Sequence, residues 1–314
     1  MKVYQSIDSY AVSEHKTVIT IGTFDGVHIG HQKIIEQLNL LKSGKDEVSM
    51  ILTFFPHPRR VLDQSNDIKM LTTLDEKIDL LSEFGLDELI IEPFTQEFSR
   101  LSALEFVRDV LVNKLHLKKL VIGYDHHFGR NREGNFDQLT EYGKLYGFEV
   151  VEIPAQEISA VSVSSTKIRK AIEKGDMDTA NRYLGYPYRL TGDIVKGQGL
   201  GRKLKFPTVN LDVAEDYKLI PMKGVYAVRT AIEGKMVSGM MNIGFRPTVG
   251  GSGRTIEVHL LDFEGDLYGE RLQIDVLARL RDEIRFESVE ELSEQLRKDE
   301  AVTRSILSKT NSKF

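Results

Sequence analysis

Two stretches of this chain carry residues whose types and spacing permit phosphate chemistry. The first is Ile21-Gly22-Thr23-Phe24-Asp25-Gly26-Val27-His28-Ile29-Gly30-His31. Its glycines let backbone approach a ligand closely, and a helix predicted to open near Gly30 presents free N–H donors and a partial positive charge. His28 and His31, three apart, can both point into that mouth, donate hydrogen bonds to phosphate oxygens and stabilise charge building at phosphorus. Taken alone, H-x-x-H is as consistent with a surface coincidence as with function, and half of a metal site is a further reading to which spacing ties no third ligand. The second stretch runs from Gly197 through Gly199, Gly201 and Lys203 to Phe206-Pro207-Thr208-Val209-Asn210. Two-residue spacing puts Thr208 and Asn210 on one face of an extended chain, as hard oxygen ligands of the kind Mg²⁺ accepts beside nucleotide phosphates. From its glycines alone this stretch reads as a surface loop with a proline turn. The first stretch does not spell G-x-G-x-x-G, and the chain has no G-x-x-x-x-G-K-[ST], so dinucleotide-binding and P-loop readings lose support.

The elements that must position these residues fall into two patterns. Through residue 185, short apolar runs (Val18–Ile21, Met50–Phe54, Leu89–Ile91, Leu120–Ile122 and Val150–Ile153) alternate with helical periodicity. Capping boxes at Thr73-Leu74-Asp75-Glu76 and Ser102-Ala103-Leu104-Glu105 signal two of the helix starts. Repeated β-α units predict a parallel sheet with helices on both faces, which binds ligands at the carboxyl ends of its strands. The pattern changes at Tyr186-Pro187. Beyond it, Tyr188–Val195, Val225–Arg229, Met236–Met241, Thr255–Leu261 and Leu272–Ala278 read as strands joined by glycine-rich turns, which predicts an antiparallel barrel or sandwich. A final helix opens at a third capping box, Ser288-Val289-Glu290-Glu291, and carries Leu292 and Leu296. The expected domains are therefore 1–185 and 186–314.

Composition excludes several alternatives. A chain of 314 residues is long enough for two domains, and 41% hydrophobic with 28% charged residues argues against disorder. A net charge of -5 without a dense basic run leaves no footprint for nucleic acid. The absence of cysteine rules out disulfides, thiolate zinc sites and cysteine nucleophiles, and fits a reducing compartment. No run approaches the roughly 18 apolar residues of a membrane span, and Met1–Tyr10 is too polar for a secretory signal. The expectation is a soluble cytoplasmic protein; the composition carries no oligomeric signal.

The motifs together resemble the bifunctional prokaryotic FAD synthetases. Gly22-Thr23-Phe24-Asp25-Gly26 with His28-Ile29-Gly30-His31 is similar to the HxGH signature of the flavin-adenylylating nucleotidyltransferases. Thr53-Phe54-Phe55-Pro56-His57-Pro58 follows the second predicted strand, where the family places an FMN- and ATP-side loop. Gly123 to Arg130, including Asp125 and Phe128, follows the fourth. Ser164-Ser165-Thr166-Lys167-Ile168-Arg169 looks like the second phosphate motif, with hydroxyls and Arg169 directed at ATP phosphates. The resemblance thus implies ATP contacts at Gly22, Phe24, Asp25, Gly26, His28, His31, Asp125, Ser164, Ser165, Thr166 and Arg169. It implies flavin contacts at Phe54, Pro56, His57, Pro58 and Phe128. The 197–210 stretch looks like the riboflavin kinase glycine loop and P-T-A-N signature, with Val209 in place of alanine, on a six-stranded barrel. There the resemblance implies a catalytic base at Glu257 and flavin-site residues Arg281 and Phe286. It also implies kinase ATP contacts at Gly197, Gly199, Gly201, Lys203, Thr208 and Asn210, the last two on Mg²⁺. Lys205 and Phe245 depart from the family pattern. The implied activity is phosphorylation of riboflavin to FMN by ATP, then adenylylation of FMN to FAD. Two other readings keep both folds: a member with one activity, and a flavin-binding regulator.

Overall fold

The structure, a computed structural model, describes residues 1–10, 15–63, 67–123, 128–130, 133–153, 163–196, 206–248 and 251–310. The chain forms two compact units, Met1–Ser165 and Thr166–Phe314.

The first unit is built on a six-stranded sheet in the order β1-β4-β3-β2-β5-β6. Its strands are β1 (Lys2–Tyr4), β2 (Lys16–Ile21), β3 (Glu47–Phe55), β4 (Glu88–Pro93), β5 (Leu117–Gly123) and β6 (Glu149–Ile153). Every pairing is parallel. Four of the five apolar runs read from the sequence are its centre, and the fifth, Val150–Ile153, is edge strand β6; at the centre Ile19 lies between Met50 and Leu120, and all three are inaccessible to solvent. Burial on both faces is why the central strands read as continuous apolar runs rather than alternating ones. From β2 the chain steps outward through β3 and β4, then returns to place β5 on the opposite side of β2. That reversal opens a crevice beyond the carboxyl ends of β2 and β5.

The helices of this unit are α1 (Ile29–Leu40), α2 (Pro58–Leu62), α3 (Leu74–Glu83), α4 (Ala103–Glu105, continuing as a π-helix over Phe106–Val112) and α5 (Phe136–Tyr146). Both capping boxes predicted in this unit form, at Thr73/Glu76 and Ser102/Glu105, and Asn135/Gln138 adds one that was not predicted.

The second unit is a closed antiparallel barrel in the order β10-β11-β8-β7-β12-β9. Its strands are β7 (Tyr188–Val195), β8 (Val209–Asp212), β9 (Gly224–Ile232), β10 (Lys235–Thr248), β11 (Gly251–Leu260) and β12 (Arg271–Arg281). Closure leaves no unpaired sheet edge. Two helices, α6 (Ser165–Glu173) and α7 (Met177–Leu184), precede it, and α7 is fastened to the barrel. Asn181 donates to the carbonyls of Val276 (2.9 Å) and Leu277 (3.0 Å) while its own oxygen accepts from Tyr188 N (2.8 Å). The turn between them needs Gly175 (φ 75°), where a Cβ would lie 2.5 Å from the Arg279 side chain. The terminal helix α8 (Val289–Thr310) starts at its predicted cap, since Ser288 Oγ accepts from Glu291 N (3.2 Å). The box is not reciprocal: the Glu291 carboxylate accepts from Glu287 N instead.

Candidate active sites

In the first unit, the loop from Gly22 to His28 leaves β2 at the crevice. His28 is the N-cap of α1, and its Nδ1 accepts from His31 N at 3.4 Å. With Nδ1 accepting, the neutral ring carries its proton on Nε2, away from the helix. The His31 ring stacks on His28 (centroids 3.7 Å apart, 12° between planes) and tilts against Phe24 at 4.7 Å. Burial first, then the charges of His28 and Lys77, holds His31 well below the usual histidine range. Its buried Nδ1 has no hydrogen-bond partner among the described residues. Two stacked imidazoles therefore stand at a helix N-terminus, and His31 Nδ1 keeps hydrogen-bonding capacity among the described residues, an arrangement that suits phosphate oxygens.

The loop backbone is strained. Phe24 (φ 47°) and the solvent-inaccessible, β-branched Val27 (φ 32°) both occupy the left-handed region, at ~1–3 kcal/mol each. A Cβ at Gly22 would approach the Phe24 ring to 3.1 Å, a tight contact that the ring would have to yield to. Several groups hold this geometry. The Thr23 carbonyl accepts from Thr53 Oγ1 (3.2 Å) and from Lys77 Nζ (2.8 Å). The Asp25 carboxylate, 2% exposed, accepts from Leu71 N (2.9 Å) and Thr72 N (3.2 Å), and Gly26 N donates to Thr72 Oγ1 (3.4 Å). Ser165 Oγ donates to the Asp25 carbonyl at 3.0 Å. Asp25 thus faces inward, toward the segment leading into α3.

Phe54 and Phe128 belong to one aromatic cluster with Phe94, Phe98 and Phe106, neighbouring centroids lying 5.4–6.3 Å apart. Phe94 and Phe98 escaped the sequence reading because they lie in a stretch without a motif. His57 caps α2 through Nδ1 (Arg59 N, 3.1 Å), with Pro58 in the first turn. Thr166 and the buried Arg169 fall in the second unit. Asp125 lies outside the described residues, as do Gly197, Gly199, Gly201, Lys203 and Lys205.

In the second unit, Glu257 on β11 is paired across the ladder with Asn210 on β8 and Asn242 on β10. Directly opposed residues share a face, so the carboxylate and both amides point the same way. Glu257, Thr208, Arg281 and Phe286 line a cavity of about 320 Å³, closed on one side by Leu292 and Leu296 of α8. A broader groove of about 680 Å³ shares the walls Phe206 and His259. His259 Nδ1–H donates to the Pro207 carbonyl (2.7 Å), and its ring meets Phe206 edge-on at 5.1 Å, which pins the segment carrying Thr208. Arg281 lines the cavity with its guanidinium already engaged: it bonds the Asp299 carboxylate of α8 three times, at 2.7–3.0 Å, and stands 5.9 Å from the Phe286 ring centre. A second carboxylate, Glu283, also lines the cavity, and a Cβ at Gly244 would lie 2.4 Å from its Oε1. Phe245, half exposed, sits under the Arg254 guanidinium at 5.4 Å.

A strained HxGH loop on a parallel sheet and a carboxylate–amide cavity in a closed barrel define two separate phosphate-transfer architectures. Family models agree with that division: FAD synthetase matches residues 11–167 and riboflavin kinase residues 184–307. A bifunctional riboflavin kinase/FMN adenylyltransferase of Listeria monocytogenes is 40% identical over 93% of this chain and 93% of its own length. Its Escherichia coli (strain K12) counterpart is 36% identical over 99% of each chain. A solved structure from Streptococcus pneumoniae, described as a macrolide-efflux protein, is 30% identical, with a TM-score of 0.87 over 96% of this chain and 98% of that one. No helix among the described residues is long and apolar enough to cross a membrane. The chain belongs to the bifunctional riboflavin kinase/FMN adenylyltransferase family.

Proposed function

We propose that this chain phosphorylates riboflavin to FMN in its barrel and adenylylates FMN to FAD at its HxGH loop, using ATP for both steps. The observation that carries this reading is that each matched half holds its own constellation: stacked His28 and His31 in one, Glu257 opposite Asn210 in the other.

In the barrel, riboflavin occupies the cavity under α8 and the nucleotide the adjoining groove, two spaces of a size that small ligands fill. The terminal ribityl hydroxyl attacks the γ-phosphorus of ATP, its bond to the β-γ bridging oxygen breaks, and ADP leaves. Glu257 orients the hydroxyl and takes its proton as the new P–O bond forms. The donor set of Thr208 and Asn210, a hydroxyl and an amide beside a carboxylate strand, suits Mg²⁺ rather than a softer metal. When bound, that ion neutralises phosphate charge.

At the HxGH loop, a phosphate oxygen of FMN attacks the α-phosphorus of ATP and pyrophosphate leaves. No side-chain nucleophile is needed. His28 Nε2–H and the His31 imidazole hydrogen-bond the phosphates and stabilise the charge that builds at phosphorus. The aromatic cluster around Phe54 and Phe128 provides an apolar face for the flavin ring. Residues 1–185 carry this step and 186–314 the kinase step, and ATP as common co-substrate implies a cytoplasmic setting.

The test is reciprocal inactivation. His31→Ala should lower FAD formation from supplied FMN by roughly 10²–10³-fold while riboflavin phosphorylation continues. Glu257→Gln should lower phosphorylation by on the order of 10²–10⁴-fold while FAD formation from FMN continues. Loss of both activities together in either folded variant would contradict the assignment of one step to each site.

A further inference from the structure

Lys77 has no place in the motifs, and its position breaks two rules at once. It is 7% exposed, an ammonium taken out of water. It also lies in the first turn of α3, four residues after the Thr73 N-cap, where the helix dipole opposes a positive charge. Local rules broken together without an evident packing gain mark functional positions.

The surroundings say what the charge does. Nζ donates to the Thr23 carbonyl at 2.8 Å, in the middle of the strained Gly22–Val27 segment. The groups facing it are the Asp25 carboxylate from the β2–α1 loop and the imidazole of His31 from α1, with His28 stacked behind; on its own helix, Glu76 is turned to the Thr73 N–H. Desolvation lowers Lys77 to about 8 against the opposing pull of Asp25, and its charge adds to the effects that keep His31 unprotonated.

We infer that Lys77 is a positioning residue of the adenylyl-transfer site: its buried ammonium fixes the strained loop that aims His28 and His31 and sets a positive charge behind them. This rests on the proposed FMN adenylylation and adds a residue to it. The ammonium acts through the Thr23 carbonyl and the field at His31, so its loss misaims the histidines without removing them. Misplacement of a positioned group by about 1 Å costs about 10²-fold in rate.

The test uses the full-length protein. In Lys77→Met the side chain keeps its length and loses its charge, with some cost in stability because the Thr23 carbonyl and the buried Asp25 lose a partner. FAD formation from FMN and ATP should fall about 10²-fold in kcat/KM, with riboflavin phosphorylation unchanged. Wild-type kcat/KM for ATP in the adenylyl step should decline as pH rises through about 8–9, where free enzyme loses the Lys77 proton, and Lys77→Met should lack that decline. A packing role alone produces no such limb. Folded Lys77→Met with FAD formation within about 3-fold of wild type, or with the alkaline decline intact, would overturn the inference. Should the variant not fold, a wild-type profile flat from about pH 7.5 to 9.5 overturns it on its own. A wild type that makes no FAD refutes the adenylylation reading instead, so the two failures are distinct.

Discussion

Asp299 gives the prediction with the most structure behind it. Its carboxylate is 4% exposed and receives Nε and Nη2 of Arg281, whose side chain is 16% exposed. Gln295 Nε2 adds a bond at 2.9 Å. Arg281 ends β12 and Asp299 lies midway along α8, so the pair fastens the helix that closes the flavin cavity. Asp299→Ala leaves a guanidinium largely buried with no counter-charge, a loss of about 3–5 kcal/mol for a broken buried pair. The lower figure applies, since Arg281 keeps its bond to the Asp282 carbonyl (2.9 Å) and some water contact. For a unit the size of Thr166–Phe314, where 1 kcal/mol corresponds to about 2–4 °C, ~3 kcal/mol lowers Tm by roughly 6–12 °C. Because Leu292 and Leu296 line the cavity, the riboflavin KM should rise about tenfold, with kcat less affected, as expected when uniform binding weakens by ~1.4 kcal/mol. Differential scanning calorimetry and a riboflavin titration of the kinase rate read both effects. A melting point within about 2 °C of wild type, with unchanged KM, would refute the claim that this ion pair holds the cavity wall.

Other consequences are equally direct. Lys77 sits at about 8, below its ordinary 10.5. Between those values the unfolded chain holds a proton that the folded one has lost, so the first unit should gain up to ~3 kcal/mol as pH rises through that window. Urea denaturation of Lys77→Met should lack the gain. A fragment covering 166–314 should melt higher than one starting at 187, because the shorter one loses the Asn181 bonds to Val276, Leu277 and Tyr188; equal melting points would contradict the account of α7. His259→Phe keeps the ring but removes the bond to Pro207, so kinase kcat should fall about tenfold as the Thr208 segment loosens. An unchanged kinase rate there would dissociate His259 from the segment.

Much of this was legible in the residues. The four central strands of the sheet, β2 to β5, read as apolar runs because both of their faces are covered, and the capping boxes at Thr73 and Ser102 form as their spacing predicts. The edge strand β1 did not show: three residues give no periodicity to read. Nor did β8, four residues long and hidden in the P-T-x-N motif. Direction is a second limit. Asp25 lies in the signature loop, yet its carboxylate turns to the backbone of Leu71 and Thr72, and nothing local distinguishes inward from outward. The resemblance gives Arg281 only as a flavin-site residue, and its ion pair appears when the fold brings Asp299, 18 residues on, against it. Lys77 is the extreme case, since a lysine in a helical first turn looks like a solvated face until the loop above it is known to be strained.

The central claim, two ATP-dependent steps in one chain, is tested most directly by a time course. Purified protein with riboflavin, ATP and Mg²⁺ is sampled, and the flavins are separated. FMN should appear first and pass into FAD, with ADP released in the first step and pyrophosphate in the second. No conversion of riboflavin, or FMN accumulating without any FAD, would contradict the account.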